Sequence, residues 1–328
     1  MGFREAKASK IGGKFLAYGD YGSGKSWFQL TFPNVACIDS EAGVGFYEKK
    51  PITLNNGNTY NNLKLVDNTS DLDTLEEDLD EFLDGEYDGK INTLSIDSET
   101  KFYSTMQISA LEVEERRARR KGGDVDDAGI SVKQWGRIKL INMKLQQAKI
   151  DLSSKGVHIV SVAQQVDIKD SKGEKVIGYK PDMHKSAGFD YDVILRFFKE
   201  KNGEEIKFFA EVIKDRTCVT KVGSIIENPC YDIWQEYFEG ISSLDTNKTS
   251  YRNDLDKSTD SMIEKSDKAE DIVTEWKPLM KSITDSGNTT AVKQINAFIK
   301  ENNISVKNMT AESPEILGEL LDLTKSLA

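Results

Sequence analysis

The sequence is poor in the residues that build disulfide frameworks and zinc sites. Its 328 residues include three cysteines and two histidines. Cys37, Cys218 and Cys230 are far apart in the chain, which excludes a disulfide framework. Together with His158 and His184 they also form no zinc-binding pattern. We therefore expect a protein of the reducing cytoplasm.

Long apolar runs and an excess of positive charge are also missing. No stretch approaches the roughly 20 apolar residues of a membrane-spanning helix, so no membrane contact is expected. The first residues, Met1–Glu5, lack the apolar segment of a signal peptide. The 44 Lys and Arg residues face 55 Asp and Glu residues, a net charge of −11. This balance excludes a globally basic surface that coats nucleic acid, but it allows a local basic site.

One segment has the glycine-rich pattern of a phosphate-binding loop. An apolar strand precedes it at residues 15–18, and a helix that stops at Pro33 follows it. In such loops glycines let backbone N–H groups surround the phosphates, Lys25 reaches the β- and γ-phosphates, and the Ser26 hydroxyl ligates Mg²⁺. We therefore expect a nucleoside triphosphate, ATP, with Mg²⁺. The residues expected to contact it are Gly19, Asp20, Tyr21, Gly22, Ser23, Gly24, Lys25, Ser26 and Trp27.

Apolar runs and helical stretches alternate along the first half of the chain, which is typical of a parallel α/β sheet. Two later apolar runs flank Lys201–Glu204 and predict an antiparallel hairpin. The predicted strands are 15–18, 35–38, 63–66, 91–96, 157–163, 193–198 and 206–213, and the predicted long helices are 99–120 and 131–153.

Composition divides the chain into three parts. Residues 1–244 carry the α/β pattern and are predicted to form the ATPase domain. Residues 245–268 are rich in Asp, Ser, Asn and Lys, which predicts a flexible linker. Residues 269–328 regain helical periodicity and predict a small helical domain.

The tetrad Ile-Asp-Ser-Glu occurs twice, at 38–41 and 96–99, each time where a predicted strand ends. Asp97 ends a buried strand downstream of the phosphate loop, which indicates a carboxylate that binds Mg²⁺. Glu41 is predicted to orient the attacking water. The alternative is that Asp39 or Glu41 only caps the following turn.

With these motifs in this order, residues 11 to about 235 resemble the RecA-type ATPases, and most of all phage-encoded RecA-like AAA ATPases, including the Sak-type single-strand annealing proteins. The segments that carry the resemblance are 37–41, 95–98, 161–165 and 212–216. The resemblance implies a RecA-like core: a mainly parallel sheet with helices on both faces and antiparallel strands at the end.

The resemblance also implies roles for further residues. Gln164 would sense the γ-phosphate, and Lys214 and Arg216 would reach the nucleotide of a neighbouring subunit in a ring or filament. The alternative for this last pair is an ordinary solvated strand face. The implied function is ATP hydrolysis coupled to annealing or strand exchange of single-stranded DNA, in the cytoplasm of a bacterial host. A helicase-type motor and a nucleotide-gated binding protein with little turnover are the rival functions.

Two basic segments are candidates for contact with single-stranded DNA. The first ends a predicted helix, where its cations also complement the helix dipole and have Glu112, Glu114 and Glu115 as alternative partners. The second interleaves lysines with Tyr179 and His184, a combination that suits single strands, although acidic residues dilute it. The candidate DNA-binding residues are Arg116, Arg117, Arg119, Arg120, Lys121, Lys169, Lys172 and Lys175. The C-terminal helices lie outside the resemblance, and we expect them to recruit a single-stranded-DNA-binding protein or a replisome component.

Overall fold

A mostly parallel β-sheet forms the centre of the first part of the chain, in a computed structural model that describes residues 5–246 and 250–328. In chain order the strands are β1 (Lys14–Gly19), β2 (Val35–Asp39), β3 (Ile52–Thr53), β4 (Thr59–Tyr60), β5 (Leu63–Asp67), β6 (Thr93–Asp97), β7 (His158–Lys169), β8 (Val176–Pro181), β9 (Val193–Asn202), β10 (Glu205–Asp215) and β11 (Ile225–Glu227). The main sheet has the order β11–β10–β9–β1–β7–β6–β2–β5, while β8 pairs with β7, and β3 pairs with β4.

The helices are α1 (Lys25–Gln29), α2 (Leu72–Asp84), α3 (Glu99–Arg120), α4 (Val132–Ser154), α5 (Asp232–Ile241), α6 (Tyr251–Asp285), α7 (Thr289–Glu301) and α8 (Pro314–Leu327). Short 3₁₀ helices cover Val44–Tyr47, Ala187–Phe189 and Val306–Ala311. The strands from β1 to β7 and β9 that form the main sheet pair in parallel, whereas β10 is antiparallel to both β9 and β11.

Helices cover both faces of this sheet, because β1 and its neighbours carry apolar side chains on both sides. On one face Phe15 and Phe28 pack with Trp234 of α5. On the other face Leu94 and Leu145 belong to a core built with α2, α3 and α4. The sheet confirms the predicted α/β P-loop NTPase class, including the antiparallel strands at its end.

Two compact units are present, one ending at Tyr251 and the other spanning Arg252–Ala328. The second unit has its own apolar core, in which Trp276, Ile295 and Leu320 are buried. The C-terminal helices predicted from the sequence are therefore observed.

Residues 251–268 are helical, where the sequence analysis predicted a flexible linker at 245–268. They form the exposed first half of α6, which continues without a break into the packed half of the same helix. Because extending an existing helix adds one hydrogen bond for each residue that is fixed, polar residues with few tertiary contacts continue it at little cost. Residues 247–249 of that segment lie outside the described residues.

Candidate active site

The phosphate loop leaves the carboxyl end of β1 and leads into α1. Gly22 and Gly24 have φ angles of +61° and +96°, a backbone region that side chains with a Cβ rarely adopt. The Lys25 ammonium donates hydrogen bonds to the carbonyl oxygens of Gly19 at 3.1 Å and Asp20 at 2.7 Å. Burial lowers the pKa of Lys25, and nearby carboxylates oppose that shift. A partly dehydrated cation in a glycine-rich loop at the start of a helix is suited to bind phosphate.

Asp97 lies at the end of β6 within hydrogen-bond reach of α1. Its Oδ2 accepts hydrogen bonds from the Ser26 hydroxyl at 2.8 Å and from the Gln29 side-chain amide at 2.7 Å. Ser95 in turn donates to Gln29 Oε1. Burial raises the pKa of Asp97 to about 6, although both hydrogen bonds favour the carboxylate.

The Ser26 hydroxyl and the Asp97 carboxylate form an oxygen-donor pair, and oxygen is the ligand type that Mg²⁺ requires. Mg²⁺ sites in nucleotide-binding proteins use one or two such side chains and complete the shell with phosphate and water. The residues present therefore fit Mg²⁺ bound together with a nucleotide.

The two Ile-Asp-Ser-Glu tetrads are neighbours in the sheet, in the same register. In the parallel pair of β2 and β6, Ile38 lies opposite Ile96 and Asp39 opposite Asp97. Beyond the strand ends Ser40 accepts a hydrogen bond from the Ser98 N–H at 2.8 Å. The repeated sequence thus joins two strand ends at the carboxyl edge of the sheet, where open α/β sheets bind ligands.

The acids of the first tetrad take different roles. Asp39 is buried, and its carboxylate accepts from the backbone N–H groups of Glu41 at 3.0 Å and Val44 at 2.7 Å, so Asp39 caps this turn. The side chain of Glu41 is directed to the site instead. Its Oε1 accepts from Ser98 Oγ at 2.9 Å and from Gln164 Nε2 at 3.2 Å.

A cavity of about 340 Å³ brings together four of the predicted catalytic residues, Lys25, Glu41, Asp97 and Gln164, which follow or lie on β1, β2, β6 and β7. It lies next to the phosphate loop, with which it shares several residues. The predicted residues that line it are Gly19, Asp20, Tyr21, Gly22, Lys25, Ser26, Glu41, Asp97 and Gln164.

Lys214 and Arg216 lie at the opposite edge of the sheet. Antiparallel pairing sets Lys214 opposite Ile194, near the start of β9, and Arg216 lies one residue beyond the end of β10. Both side chains donate to the carbonyl oxygen of Phe189, at 3.1 and 3.2 Å, and Arg216 also pairs with Asp192. Within one chain this pair therefore contacts the 187–192 turn rather than the phosphate loop. Lys214 lies on β10, whereas Arg216 lies beyond its end, so the two do not share a strand face.

The basic segment at the end of α3 is partly neutralised by acids of the same helix. Arg117 pairs with Glu114 at 2.6 Å, and longer pairs, both at 3.5 Å, join Arg116 to Glu112 and Arg119 to Glu115. The two remaining cations of the segment, Arg120 and Lys121, are exposed. The alternative partners named from the sequence are thus the ones observed.

Lys169, Lys172 and Lys175 lie at the exposed tip of the hairpin formed by β7 and β8. A larger cavity of about 1290 Å³ lies along this hairpin and is bounded by the start of α4 and the 187–189 turn. We call it the hairpin groove. Its walls combine aromatic and cationic side chains, among them Trp135, Lys139, Tyr179, Lys180, Phe189 and Lys214.

Two contributions to the nucleotide site carry no sequence motif. The Gln29 side-chain amide donates to the Asp97 carboxylate, as described above. Lys199 of β9 donates to the Tyr21 carbonyl oxygen at 3.1 Å, and its ammonium lies 4.8 Å from the centre of the Tyr21 ring. A lysine in a strand rich in charged residues gives no signal of its position, so only the pairing of β9 with β1 identifies it.

Neither a metal-binding cluster of His, Cys, Asp or Glu nor a membrane-spanning helix is found in the parts of the chain that the structure describes. No group of three or more His, Cys, Asp or Glu side chains within residues 5–246 and 250–328 is arranged to hold a metal ion. No helix among the same residues is both long and apolar enough to cross a bilayer.

Comparison with known proteins gives one family match. A family model described as an AAA domain matches residues 11–206. Similar solved structures include the RadB recombinase, 16% identical over 67% of this chain and 87% of that one, with a TM-score of 0.39. Another is the flagellar accessory protein FlaH from Methanocaldococcus jannaschii, 11% identical over 67% and 85%, with a TM-score of 0.37. A search of curated proteins found no match.

Proposed function

The chain belongs to the AAA domain family of P-loop ATPases, and on this premise we propose that it hydrolyses ATP with Mg²⁺ in order to act on single-stranded DNA. The observation that carries the hydrolysis is the single cavity shared by Lys25, Ser26, Glu41, Asp97 and Gln164. It combines a cation for phosphate, oxygen ligands for Mg²⁺ and a carboxylate that orients water. Mg²⁺, when bound, would neutralise charge on the phosphates.

Gln164 is proposed to connect the nucleotide site to the hairpin of β7 and β8. Its side chain donates to Glu41, and its backbone N–H donates to Thr100 Oγ1 at 3.0 Å. Thr100 donates to the Asp182 carbonyl oxygen at 2.7 Å, and the Asp182 N–H donates to the Gln164 carbonyl oxygen at 2.8 Å. A change at Glu41 is therefore transmitted through a continuous hydrogen-bonded chain to the base of the hairpin.

The hairpin groove supports single-stranded DNA as the substrate. Trp135 and Phe189 expose 42% and 76% of their surface, so their rings are open to stacking by unpaired bases. Tyr179 is 41% exposed, and the Arg196 guanidinium lies over its ring, 4.9 Å from the centre. Lysines on three sides of the groove supply positive charge for the phosphate backbone of the DNA. The overall protein charge of −11 would otherwise repel that backbone. Duplex DNA buries its bases and offers no such faces.

The biological setting follows from the same proposal. The protein would anneal or exchange single strands as a ring or filament of identical subunits, in the manner of phage-encoded RecA-like ATPases in the host cytoplasm. In such an assembly Lys214 and Arg216 would contact a neighbouring subunit, and the C-terminal unit would bind a single-stranded-DNA-binding protein.

The test measures DNA affinity and ATP turnover separately. Lys25→Ala is expected to abolish the turnover, which single-stranded DNA should stimulate in the unmodified chain. Trp135→Ala is expected to weaken binding of an unstructured oligonucleotide about tenfold, measured by fluorescence anisotropy, because it removes a stacking surface. Leu140→Ala is the matched control, since Leu140 is exposed on the same helix outside the groove. Unchanged DNA affinity in Trp135→Ala, or no turnover with DNA present, would contradict the proposal.

A further inference from the structure

A buried ion pair lies at the start of α3, two residues beyond Asp97. It joins Glu99 to Lys149 of α4, and the two side chains are only 8% and 3% exposed. Glu99 ends the second Ile-Asp-Ser-Glu tetrad and thus corresponds to Glu41 of the first. The tetrad that supplies Asp97 to the nucleotide site therefore buries its own glutamate in the protein interior.

The Glu99 carboxylate binds three other segments of the chain. Its Oε1 accepts hydrogen bonds from the Lys149 ammonium, from Ser161 Oγ of β7 at 2.7 Å and from the Tyr191 hydroxyl at 3.4 Å. The Lys149 ammonium also donates to the Tyr191 hydroxyl, at 3.4 Å. One carboxylate thus fixes the first turn of α3 relative to α4, to β7 and to the 187–192 turn.

Stability alone does not account for charged side chains at this position. The free energy needed to remove two charges from water is often as large as their attraction, and apolar pairs of similar volume are often equally stabilising. A buried ion pair with several hydrogen bonds does select one geometry, because the loss of any partner leaves a buried charge or polar group unpaired. The pair is therefore suited to a place where the position of the backbone matters.

Both neighbours of Glu99 in the chain hold the donors that fix Glu41. Ser98 Oγ is itself one of the two donors, at 2.9 Å from Glu41 Oε1. Gln164 Nε2 is the other, and the backbone N–H of Gln164 donates to Thr100 Oγ1 at 3.0 Å. A displacement of Glu99 would therefore misalign both donors to the Glu41 carboxylate.

We propose that Glu99 and Lys149 are positioning residues for hydrolysis, which anchor residues 98–100 so that both donors to Glu41 stay aligned. The pair acts through Ser98 and Gln164 and does not itself enter the reaction. The proposal rests on the proposed function, in which Glu41 orients the attacking water. Misplacement of a reacting group by about 1 Å can lower a rate about 100-fold, so the alignment of Glu41 affects turnover strongly.

The main test replaces the ion pair by an apolar pair of similar volume, Glu99→Leu together with Lys149→Met. No buried charge is then left unpaired, so the free energy of unfolding in urea should stay close to that of the unmodified chain. KM for ATP should also stay unchanged, because Lys25 and the phosphate loop are not anchored by the pair, whereas kcat should fall about tenfold. Lys144→Met, at an exposed position of α4, is the control.

A double-mutant cycle with Ser98→Ala tests the route by which the pair acts. In the unmodified chain Ser98→Ala should lower kcat severalfold, because Glu41 loses one of its two donors. In the chain that carries the apolar pair, Ser98→Ala should have little further effect, since that donor is already misaligned. Effects on kcat that simply multiply would overturn the route through Ser98.

The outcomes distinguish this proposal from the proposed function. An unchanged kcat in the stably folded apolar variant would overturn the positioning role and leave the ATPase proposal intact. A loss of stability without a fall in kcat per folded molecule would assign the pair to folding and overturn the positioning role as well. No turnover in the unmodified chain would instead contradict the proposed function, and the positioning role with it.

Discussion

Glu41 accepts both of its described side-chain hydrogen bonds at one carboxylate oxygen, Oε1. Ser98 and Gln164 therefore fix the position of the carboxylate, and Oε2 remains available to a water molecule. A general base must be held within hydrogen-bond distance of the water that it orients. At this residue the structure favours catalysis over the turn-capping role, which Asp39 performs.

We predict that Glu41→Gln binds ATP with little change in affinity but lowers the hydrolysis rate about 100-fold or more. The amide keeps the shape of the side chain and loses the basic oxygen. Single-turnover hydrolysis and equilibrium ATP binding, measured side by side, check this. Glu48→Gln, an exposed glutamate just beyond the same turn, should behave like the unmodified protein. A full hydrolysis rate in Glu41→Gln would assign the base to another residue.

The surroundings of Asp78 in α2 disfavour the charged form of its carboxyl group. Burial and the neighbouring Asp67 carboxyl raise the pKa of Asp78 to about 7, and its Oδ2 is buried without a hydrogen-bond partner in the described structure. Because the folded state binds this proton more tightly than the unfolded state does, stability falls as the pH rises from about 4 to 7. Above about pH 7 the charged Asp78 carboxylate lowers the free energy of unfolding by its full amount.

Asp78→Asn should therefore raise the free energy of unfolding at pH 8 by about 1 kcal/mol, a value reduced from the full shift because the side chain is partly exposed to solvent. The gain should disappear near pH 3.5, where the carboxyl is protonated in both states. Urea unfolding at the two pH values measures the difference. Asp73→Asn on the exposed face of the same helix is the control. A gain of equal size at both pH values would show that charge is not its cause.

At the scale of secondary structure, alternation of apolar runs predicted the strands that position the site, and motif chemistry predicted the residues at their carboxyl ends. Both signals are local, which is why Lys25, Glu41 and Asp97 could be placed from the sequence. The position of Lys214 could not, because it depends on a register shift after Val212 within the predicted hairpin of β9 and β10.

The first half of α6 is a second feature that local sequence signals did not predict. Its residues carry few apolar side chains, and composition predicted a linker. Yet Leu255 and Met262 follow the seven-residue spacing of Ala269 and Trp276 in the packed half of the helix. The segment 251–268 also holds fourteen polar and charged residues, so Leu255 and Met262 are too few for a periodic signal, although they continue the same face.

The C-terminal end of α3 allows a test that separates free from paired cations. Replacing the exposed pair Arg120 and Lys121 by glutamine should weaken binding of single-stranded DNA and reduce the salt slope of the affinity by about 1.4, or about 0.7 for each phosphate contact. Arg117→Gln should reduce the slope less, because Glu114 already neutralises that guanidinium. Anisotropy titrations from 50 to 300 mM salt, about the range where such effects are large, measure the slopes. An unchanged slope in the double variant would assign the segment to helix solvation.

In the residues that the structure describes, each of the two units has its own apolar core. The core of the first unit consists of three clusters around the sheet, and that of the second is formed by α6, α7 and α8. Cooperative unfolding requires that the loss of one set of contacts destabilises the rest, and this coupling is strong within a unit that shares one core. Each unit here has its own buried side chains, so each has its own source of stability.

We therefore predict two unfolding transitions in calorimetry, each sensitive to substitutions in one unit. Ile295→Ala, at a fully buried position of the C-terminal core, should destabilise one transition by about 2–5 kcal/mol and leave the other unchanged. Leu94→Ala, at an equally buried position of β6, should destabilise the other transition by a similar amount and leave that of the C-terminal unit unchanged. ATP with Mg²⁺ should raise only the transition that Leu94→Ala lowers, because a ligand stabilises the unit to which it binds. A single transition shifted by both substitutions would instead show that the two cores unfold together.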